Sequence, residues 1–312
     1  MNRLAAKYFL LILAGASSFA QAQVTYTGTT SDDAFLATGS PSNPLGTDLT
    51  NANFGAAGVL YIAPATSSNG EYQSVLKFNL SGATNLFAAT YGSNWTITAI
   101  SLKLTGNVAA PGEQPQNLIF NPISGGNFVI EWLADDNWVE GTGRPMNPTA
   151  DGVTYASLPA LLAEPHDVLC TNTYVPPGDS IPNIPETWPL PLDQNLVTNI
   201  AGGGPVSFRF YAADNQVSYL FNSHNYGNGN QPLINITASP LLKILSGYFT
   251  NGIFHLAGMG GTNTPYQVQA STNLNTANWQ VLGTATSDIT GAIRFDDPAA
   301  ASHNQRYYRL AD

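Results

Sequence analysis

The chain carries little charge and a single cysteine. Only 10% of its 312 residues are Asp, Glu, Lys or Arg, and Cys170 is the one cysteine. No disulfide can form within the chain, so stability must come from packing or from bound metal. A catalytic cysteine needs a histidine and an orienting group, and apart from nearby His166 the sequence around Cys170 shows no such set. We therefore interpret Cys170 as a chemically inert residue of a loop or core.

Basic residues are scarce and scattered. The chain has 10 Lys and Arg against 20 Asp and Glu, a formal net charge of −10. Nucleic-acid binding needs clustered Lys and Arg, so we predict no nucleic-acid partner. A polyanionic glycan would meet the same repulsion unless a local basic patch or a cation offset it. Enough apolar and aromatic residues remain to build cores, which favours a β-rich exported protein over a disordered one.

Long apolar runs are absent after the first residues. Arg3 and Lys7 form a basic start, residues 9–14 are apolar, and residues 20–22 read Ala-Gln-Ala. This pattern predicts a secretory signal peptide over residues 1–22 and a secreted protein, extracellular or periplasmic. No cysteine comes directly after the apolar run, and no apolar tail ends the sequence. We therefore expect neither a lipid anchor nor a transmembrane segment in the mature chain.

Helical periodicity is nearly absent, whereas period-two alternation recurs. Apolar and polar residues alternate over residues 76–80, 100–104 and 206–210, and Val217, Tyr219 and Phe221 repeat the two-residue spacing. Such segments are typical of half-buried strands, so we predict an all-β fold built on an antiparallel β-sandwich over residues 23–239. Residues 141–191 are dense in Pro and Gly and are predicted to form a long loop region. Its one helix candidate covers residues 157–164.

A second unit is predicted from residue 240 to residue 312. It contains short strand-like segments separated by turn residues, at 244–250, 253–256, 266–270, 279–286, 292–295 and 306–310. Spacing of this kind indicates a small C-terminal β-sandwich. A unit of this length holds its own core only marginally, so we expect it to pack against its neighbour.

Several segments together resemble a known family. They are residues 33–36, 75–80, 138–143, 206–211, and 219–223 leading to 231–233. These resemble the DNRLRE-type module, and the resemblance covers about residues 24–239. It implies a jelly-roll β-sandwich of exported bacterial proteins, related to carbohydrate-binding modules active on algal-type polysaccharides. Many such proteins end in a membrane-sorting tail that this sequence lacks, so covalent surface anchoring is not implied.

The C-terminal unit is similar to a small fibronectin- or immunoglobulin-like module. The similarity rests on residues 266–274, on Trp279 and on residues 306–310. It recurs at the ends of exported bacterial proteins and implies no specific role.

The expected ligand is a polysaccharide or cell-surface glycan. Sugar recognition combines aromatic stacking with hydrogen bonds from loops, and the candidates are Trp188, Trp95, Tyr226, Asn225 and Asn228. Trp188 stands in a proline-rich segment, where a rigid aromatic either stacks on a sugar ring or pins its loop to the sheet. We assign Trp138 to packing and Glu140 to ordering the loop that follows it.

A calcium site is a further prediction. Asp32, Asp33 and Asp48, with loop carbonyls, offer the oxygen ligands that Ca²⁺ prefers, although no EF-hand spacing is present. The alternative is that Asp32 and Asp33 hydrogen-bond at a strand start. The histidines, at 166, 224, 255 and 303, show no metal-binding spacing, which argues against zinc.

No catalytic signature emerges. Glycosidases use two carboxylates that face each other across a sugar, and Glu131, Asp135, Asp136 and Glu140 are the candidates. A polysaccharide lyase would instead use His224 or Tyr226 as a base with Arg209 to neutralise a uronate. We predict a non-catalytic carbohydrate-binding or cell-surface protein. The alternatives are an architectural or adhesive module without a sugar site, and a polysaccharide lyase or hydrolase.

Overall fold

A computed structural model describes residues 23–107, 112, 115, 117–177, 184–227, 229–276 and 278–311. The predicted signal peptide and Asn228 lie outside these residues. The fold is all-β, as predicted, and is dominated by antiparallel pairing. By internal contacts the chain divides into two compact units. One contains the described residues of 26–84 and 99–236, and the other contains the described residues of 23–25, 85–98 and 237–311.

The largest sheet has eight strands. They are β1 (Val24–Ala37), β3 (Tyr72–Asn79), β4 (Trp95–Thr105), β5 (Gly126–Leu133), β6 (His166–Tyr174), β7 (Pro185–Leu190), β8 (Pro205–Ala212) and β10 (Leu233–Pro240). Their order across the sheet is β6-β5-β8-β3-β1-β10-β4-β7. A second sheet pairs β2 (Val59–Ile62) with β9 (Tyr219–Asn222).

Aromatic side chains fill the space between these two sheets. Tyr61 of β2 contacts Tyr72 of β3 at a ring-centroid distance of 4.8 Å. Phe221 of β9 contacts Phe210 of β8 at 6.0 Å. All four side chains are fully buried, so the alternating apolar residues of the two sheets form a sandwich core.

The C-terminal residues form a small sandwich of their own, as predicted. One three-stranded sheet contains β11 (Lys243–Thr250), β12 (Ile253–Met259) and β15 (Ala292–Asp297); the other contains β13 (Pro265–Ser271), β14 (Gln280–Thr286) and β16 (Tyr307–Ala311). Phe254 and Tyr308 stack at 4.2 Å within its core. Arg306 and Tyr308 both donate to the buried Asp297 carboxylate.

The structure differs from the sequence predictions in its helices. The helix candidate at residues 157–164 contains a helix of one turn, α2 (Leu158–Leu161), which is shorter than predicted and follows a 3-10 turn (Tyr155–Ser157). Two helices, α1 (Ser81–Tyr91) and α3 (Gln194–Gly202), were not predicted. Among the described residues, no helix has the length and hydropathy needed to cross a bilayer.

Residues 141–191 are not one long loop, which corrects a second prediction. β6 pairs with β5, and β7 pairs with β4 so that Trp188 lies opposite Leu102. Trp188 is therefore a strand residue rather than a loop residue. Both strands are outermost in the sheet, where polar residues and proline are tolerated, and this is why they carried no strand signal.

The segment between β5 and β6 covers one face of the large sheet. Trp138, Val153, Leu158 and Leu161 pack on Ala34, Leu36 and Val75 of β1 and β3. Trp138 is buried and its indole N–H donates to Ser207 Oγ at 3.0 Å, which fits the packing role predicted for it. This covering segment contributes Tyr155 to the first of the two sites described next and Glu140 to the second.

Asn53 ties the covering segment together. Its side-chain amide donates to the Glu140 carbonyl at 2.6 Å and to the Val153 carbonyl at 2.8 Å. Its Oδ1 atom accepts from the backbone N–H groups of Gly55 and Gly143, both at 3.1 Å. One buried side chain thus satisfies four backbone groups in three parts of the chain.

Candidate functional site

A chain of hydrogen-bonded polar side chains crosses the covered face of the large sheet. We call it the Arg209 network, and its members are Glu71, Gln73, Glu131, Tyr155, His166 and Arg209. Arg209 lies opposite Val75 of β3 on one side and opposite Glu131 of β5 on the other. Paired residues of neighbouring strands share a face, and Gln73, two residues from Val75, shares it too.

The contacts of this network are short and continuous. Arg209 donates from Nε to Gln73 Oε1 and from Nη1 to Glu131 Oε2, both at 2.7 Å. His166 Nδ1 lies 2.9 Å from the other Glu131 oxygen. Glu131 is only 2% exposed, so both of its oxygens are paired in the interior. The guanidinium carbon of Arg209 lies 4.3 Å from the centroid of the Tyr211 ring, which is a cation–π contact.

Tyr155 closes the other end of the network. Its hydroxyl donates to Glu71 Oε2 at 2.7 Å, and Gln73 donates to Glu71 Oε1 at 2.6 Å. Burial, together with the hydrogen bond to the Glu71 carboxylate, raises the pKa of Tyr155 to about 12. Tyr155 therefore stays neutral and keeps its hydroxyl directed at Glu71.

The network borders a cavity of about 610 Å³. Its apolar wall consists of Ala156, Leu158, Pro159 and Leu162, and its polar wall of Thr50, Gln73, Tyr155 and Arg209. Ligand pockets in proteins commonly have this size and this combination of apolar surface with a few fixed polar groups. None of the residues that line it is Asp or Glu, so this cavity lacks the facing carboxylates of a glycosidase.

A second constellation joins three residues far apart in sequence. We call Asp33, Glu140 and His224 the Asp33 cluster. Asp33 belongs to β1, Glu140 to the covering segment, and His224 follows β9. His224 Nε2 lies 3.2 Å from Glu140 Oε1, and His224 Nδ1 lies 3.6 Å from Asp33 Oδ2. The backbone N–H of His224 also donates to Asp33 Oδ2 at 2.7 Å.

Burial dominates the electrostatics of the Asp33 cluster. Desolvation raises the pKa of Asp33 well above its ordinary value, against the opposing hydrogen bond from the His224 backbone. Desolvation also raises the pKa of Glu140 to about 7 and lowers the pKa of His224. All three shifts favour the neutral form of each group, as expected where carboxyl and imidazole groups share a dry site.

Of the three predicted calcium ligands, only Asp33 belongs to this cluster. Asp32 lies 3.7 Å from Lys77 Nζ, and Lys77 in turn donates to the Trp138 carbonyl at 2.7 Å. Asp48 is exposed and accepts hydrogen bonds from the backbone and side chain of Thr50. Within the described chain, Asp33, Glu140 and His224 are the one group of His, Cys, Asp or Glu side chains arranged to hold a metal. Calcium binding stays a prediction.

Trp188 belongs to a third cluster with Tyr174, Glu186 and Tyr219, in which the two tyrosines are buried and Trp188 and Glu186 are half-buried. The Tyr174 and Tyr219 rings stack at 3.9 Å, and the Trp188 ring meets Phe128 edge-on at 5.1 Å. The Tyr174 hydroxyl and Glu186 Oε2 are buried without a hydrogen-bond partner in the described part of the chain. Trp188 is half-buried on a strand, whereas the sugar-stacking prediction placed it on a loop.

Glu186 makes folding stability depend on pH. Burial raises its pKa from 4.5 to about 7, so between these values the folded chain binds more protons than the unfolded chain and stability falls as pH rises. We expect Glu186→Gln to stabilise the protein by about 1–2 kcal/mol at pH 8, since partial exposure screens the penalty, and to have little effect at pH 4. Urea unfolding at both pH values measures this difference.

Glu164→Gln, at an exposed carboxyl, is the matched control. If Glu186→Gln stabilises the protein equally at pH 8 and pH 4, or if the control is stabilised as well, the pH dependence does not come from Glu186.

The other predicted sugar-binding residues do not converge on one site. Trp95 packs against Phe87 at 5.1 Å and belongs to a different compact unit from Trp188. The Asn225 amide donates to Glu140 Oε1 and to the Gly55 carbonyl, both at 3.1 Å, so Asn225 supports the Asp33 cluster. Tyr226 follows it and is half-buried.

Sequence reasoning missed Gln73, Tyr155 and Leu162 as site residues. Arg209 was considered only as a lyase residue beside His224, yet it pairs with Glu131 and Gln73 instead. The available signal was strand register, since Arg209 and Glu131 are polar residues inside two otherwise apolar strands.

Comparison with known proteins adds no family assignment. No protein-family model and no curated protein matches the chain. A β-D-glucuronidase structure from Dictyoglomus thermophilum aligns with 97% of this chain and 45% of its own, at 7% identity and a TM-score of 0.19. A β-1,2-glucanase structure from Parabacteroides distasonis aligns with 88% of this chain and 39% of its own, at 10% identity and a TM-score of 0.13. The chain therefore spans less than half of either structure, and TM-scores this low carry no argument about fold or activity.

Proposed function

We propose that this chain is an exported, non-catalytic carbohydrate-binding protein whose sugar site is the cavity beside the Arg209 network. The observation that carries the proposal is the joining, in one cavity, of an apolar wall and a pre-ordered polar wall. The resemblance of residues 24–239 to the DNRLRE-type module and the signal-like residues 1–22 support the carbohydrate and export parts of the proposal.

The two walls suit the two kinds of surface on a sugar ring. The C–H faces of a pyranose are apolar and pack on side chains such as Leu158, Pro159 and Leu162. Its hydroxyls need donors and acceptors held in place before binding, because ordering flexible side chains costs affinity. Gln73 and Glu131 already hold Arg209, and its remaining guanidinium N–H groups have no partner among the described residues, so they are available to hydroxyl oxygens.

The charge balance favours a neutral glycan. The Arg209 charge is matched by Glu131 at 2.7 Å, and Glu71 adds a further carboxylate to the network. The whole chain has a formal charge of −10. The carboxylate of a uronate would find no unpaired cation here, and the negative charge of the chain would repel it at longer range. A neutral sugar has no carboxylate to pair and is not repelled.

Filling the cavity should abolish binding. Ala156 lines the cavity and is exposed, so Ala156→Trp occludes the site without removing a buried partner. We expect wild type to be retarded in affinity gels by at least one neutral polysaccharide in a panel of β-glucans, galactans and mannans. Ala156→Trp should weaken that retardation at least about tenfold, a loss on the scale of a specific contact surface.

Ala163→Trp adds the same bulk on the same segment at an exposed residue that does not line the cavity. It should bind as wild type does. If Ala156→Trp binds the glycan as strongly as wild type does, the sugar site does not lie beside Arg209. The same conclusion would follow if Trp188→Ala, and not Ala156→Trp, lost binding. Release of reducing ends or unsaturated products from the retained glycan would contradict the non-catalytic assignment.

A further inference from the structure

We propose that the Asp33 cluster is a binding site for one divalent transition-metal ion of the zinc class, held by Asp33, Glu140 and His224. This inference is independent of the carbohydrate site, which involves other residues. One ligand atom from each of the three side chains lies within 4.8 Å of the other two. The separation of 3.6 Å between His224 Nδ1 and Asp33 Oδ2 is close to the ligand spacing of about 3.4 Å that tetrahedral zinc imposes with bonds of about 2.1 Å.

Two buried atoms of this cluster have unused coordination capacity. Asp33 is completely buried, and its Oδ1 atom has no hydrogen-bond partner within the described ranges. The Nδ1 atom of His224 is buried and unpartnered in the same way. Buried polar atoms are nearly always paired, so these two atoms point to a ligand that satisfies both. A cation is the ligand that a carboxylate oxygen and an imidazole lone pair can share.

The other atoms of the cluster are already oriented by hydrogen bonds. The backbone N–H of His224 donates to Asp33 Oδ2, and Asp33 Oδ1 is left for a metal ion. Glu140 Oε1 accepts from the Asp33 backbone N–H at 3.3 Å and from the Asn225 amide at 3.1 Å. Oriented ligands of this kind are the usual support of a metal site, and their loss lowers metal affinity about 10- to 100-fold.

The donor set distinguishes the class of metal. Ca²⁺ takes six to eight oxygen ligands at about 2.4 Å and does not favour imidazole. Two carboxylates and one imidazole are ligands of Zn²⁺ and its neighbours among the divalent transition metals. The side chains of His224 and Glu140 are 21% and 20% exposed, so an ion and its completing water molecules can enter from solvent.

The test titrates chelator-treated full-length protein with Zn²⁺ alone by isothermal calorimetry and follows the melting temperature. We expect one high-affinity site and a rise in melting temperature. His224→Gln and Asp33→Asn each change a direct ligand, so each should weaken binding by more than the roughly 10- to 100-fold that is lost when only a supporting partner is removed. Asp33→Asn keeps a side-chain oxygen that can accept from the backbone N–H of His224, so circular dichroism should show an unchanged fold.

Two controls separate this site from incidental zinc binding. His255→Gln removes a histidine that lies 2.7 Å from Asp296 but has no third ligand. Cys170→Ser removes the one thiol. Both variants should bind Zn²⁺ as wild type does.

The proposal is overturned if wild type binds no Zn²⁺, if the controls lose binding as strongly as His224→Gln, or if neither cluster variant changes it. Tighter binding of Ca²⁺ than of Zn²⁺, lost on Asp33→Asn but kept on His224→Gln, would assign the site to an oxygen-only metal and would also overturn it.

Discussion

Arg209→Ala should lower the free energy of unfolding by about 3–5 kcal/mol. The substitution leaves the Glu131 carboxylate almost fully buried, with only His166 beside it and without the 2.7 Å contact to the guanidinium. A buried charge that loses its partner retains its desolvation cost and loses the attraction that offset it. Urea unfolding at pH 7, followed by tryptophan fluorescence, measures the change.

Two further variants make this test specific. Arg294→Ala removes an exposed arginine and should change stability by less than about 0.5 kcal/mol. The double replacement of Arg209 by Met and Glu131 by Leu removes both charges and should cost less than Arg209→Ala alone, because no buried charge is stranded. A double variant as unstable as the single one would show that packing at Arg209, rather than its pairing with Glu131, dominates.

Asn53→Ala should destabilise the protein by about 3 kcal/mol or more. The change leaves two buried carbonyls, of Glu140 and Val153, and two backbone N–H groups, of Gly55 and Gly143, without their partner. Each buried group left unpaired costs about 1–3 kcal/mol, and neighbouring losses add only in part. Chemical denaturation again gives the value.

Asn275→Ala, at an exposed position, is the control and should fall within about 0.5 kcal/mol of wild type. If Asn53→Ala lowers the free energy of unfolding by less than about 1 kcal/mol, water replaces the hydrogen bonds of Asn53 and the covering segment does not depend on this side chain.

The strands of both cores were predictable because each buries one face. Alternation located β3, β8 and β9, whose apolar residues pack in the sandwich. The helices α1 and α3 left weaker signals. In α3, Asp193 caps the first turn, Leu196 and Ile200 are buried four residues apart, and Gly203 ends the helix with a φ of 72°. These signs were present but span only two turns, too few for a periodicity search to separate from a loop.

The candidate sites were less predictable than the fold. Asp33 was singled out, but the two residues that join it lie more than a hundred positions away in sequence. Searching for histidines at metal-binding spacing finds ligands on one element, whereas here three elements contribute one side chain each. The cavity beside Arg209 depends on how residues 155–162 pack on the sheet, and no local pattern encodes that packing.

The prolines of β7 have a consequence for self-association. β7 is the last strand of the eight-stranded sheet, and Pro185 and Pro189 leave it without two of its backbone donors. An open sheet edge recruits strands from other chains through its free N–H groups, which is a common route to aggregation. The two prolines therefore weaken strand addition at this edge, which protects a chain that has no disulfide.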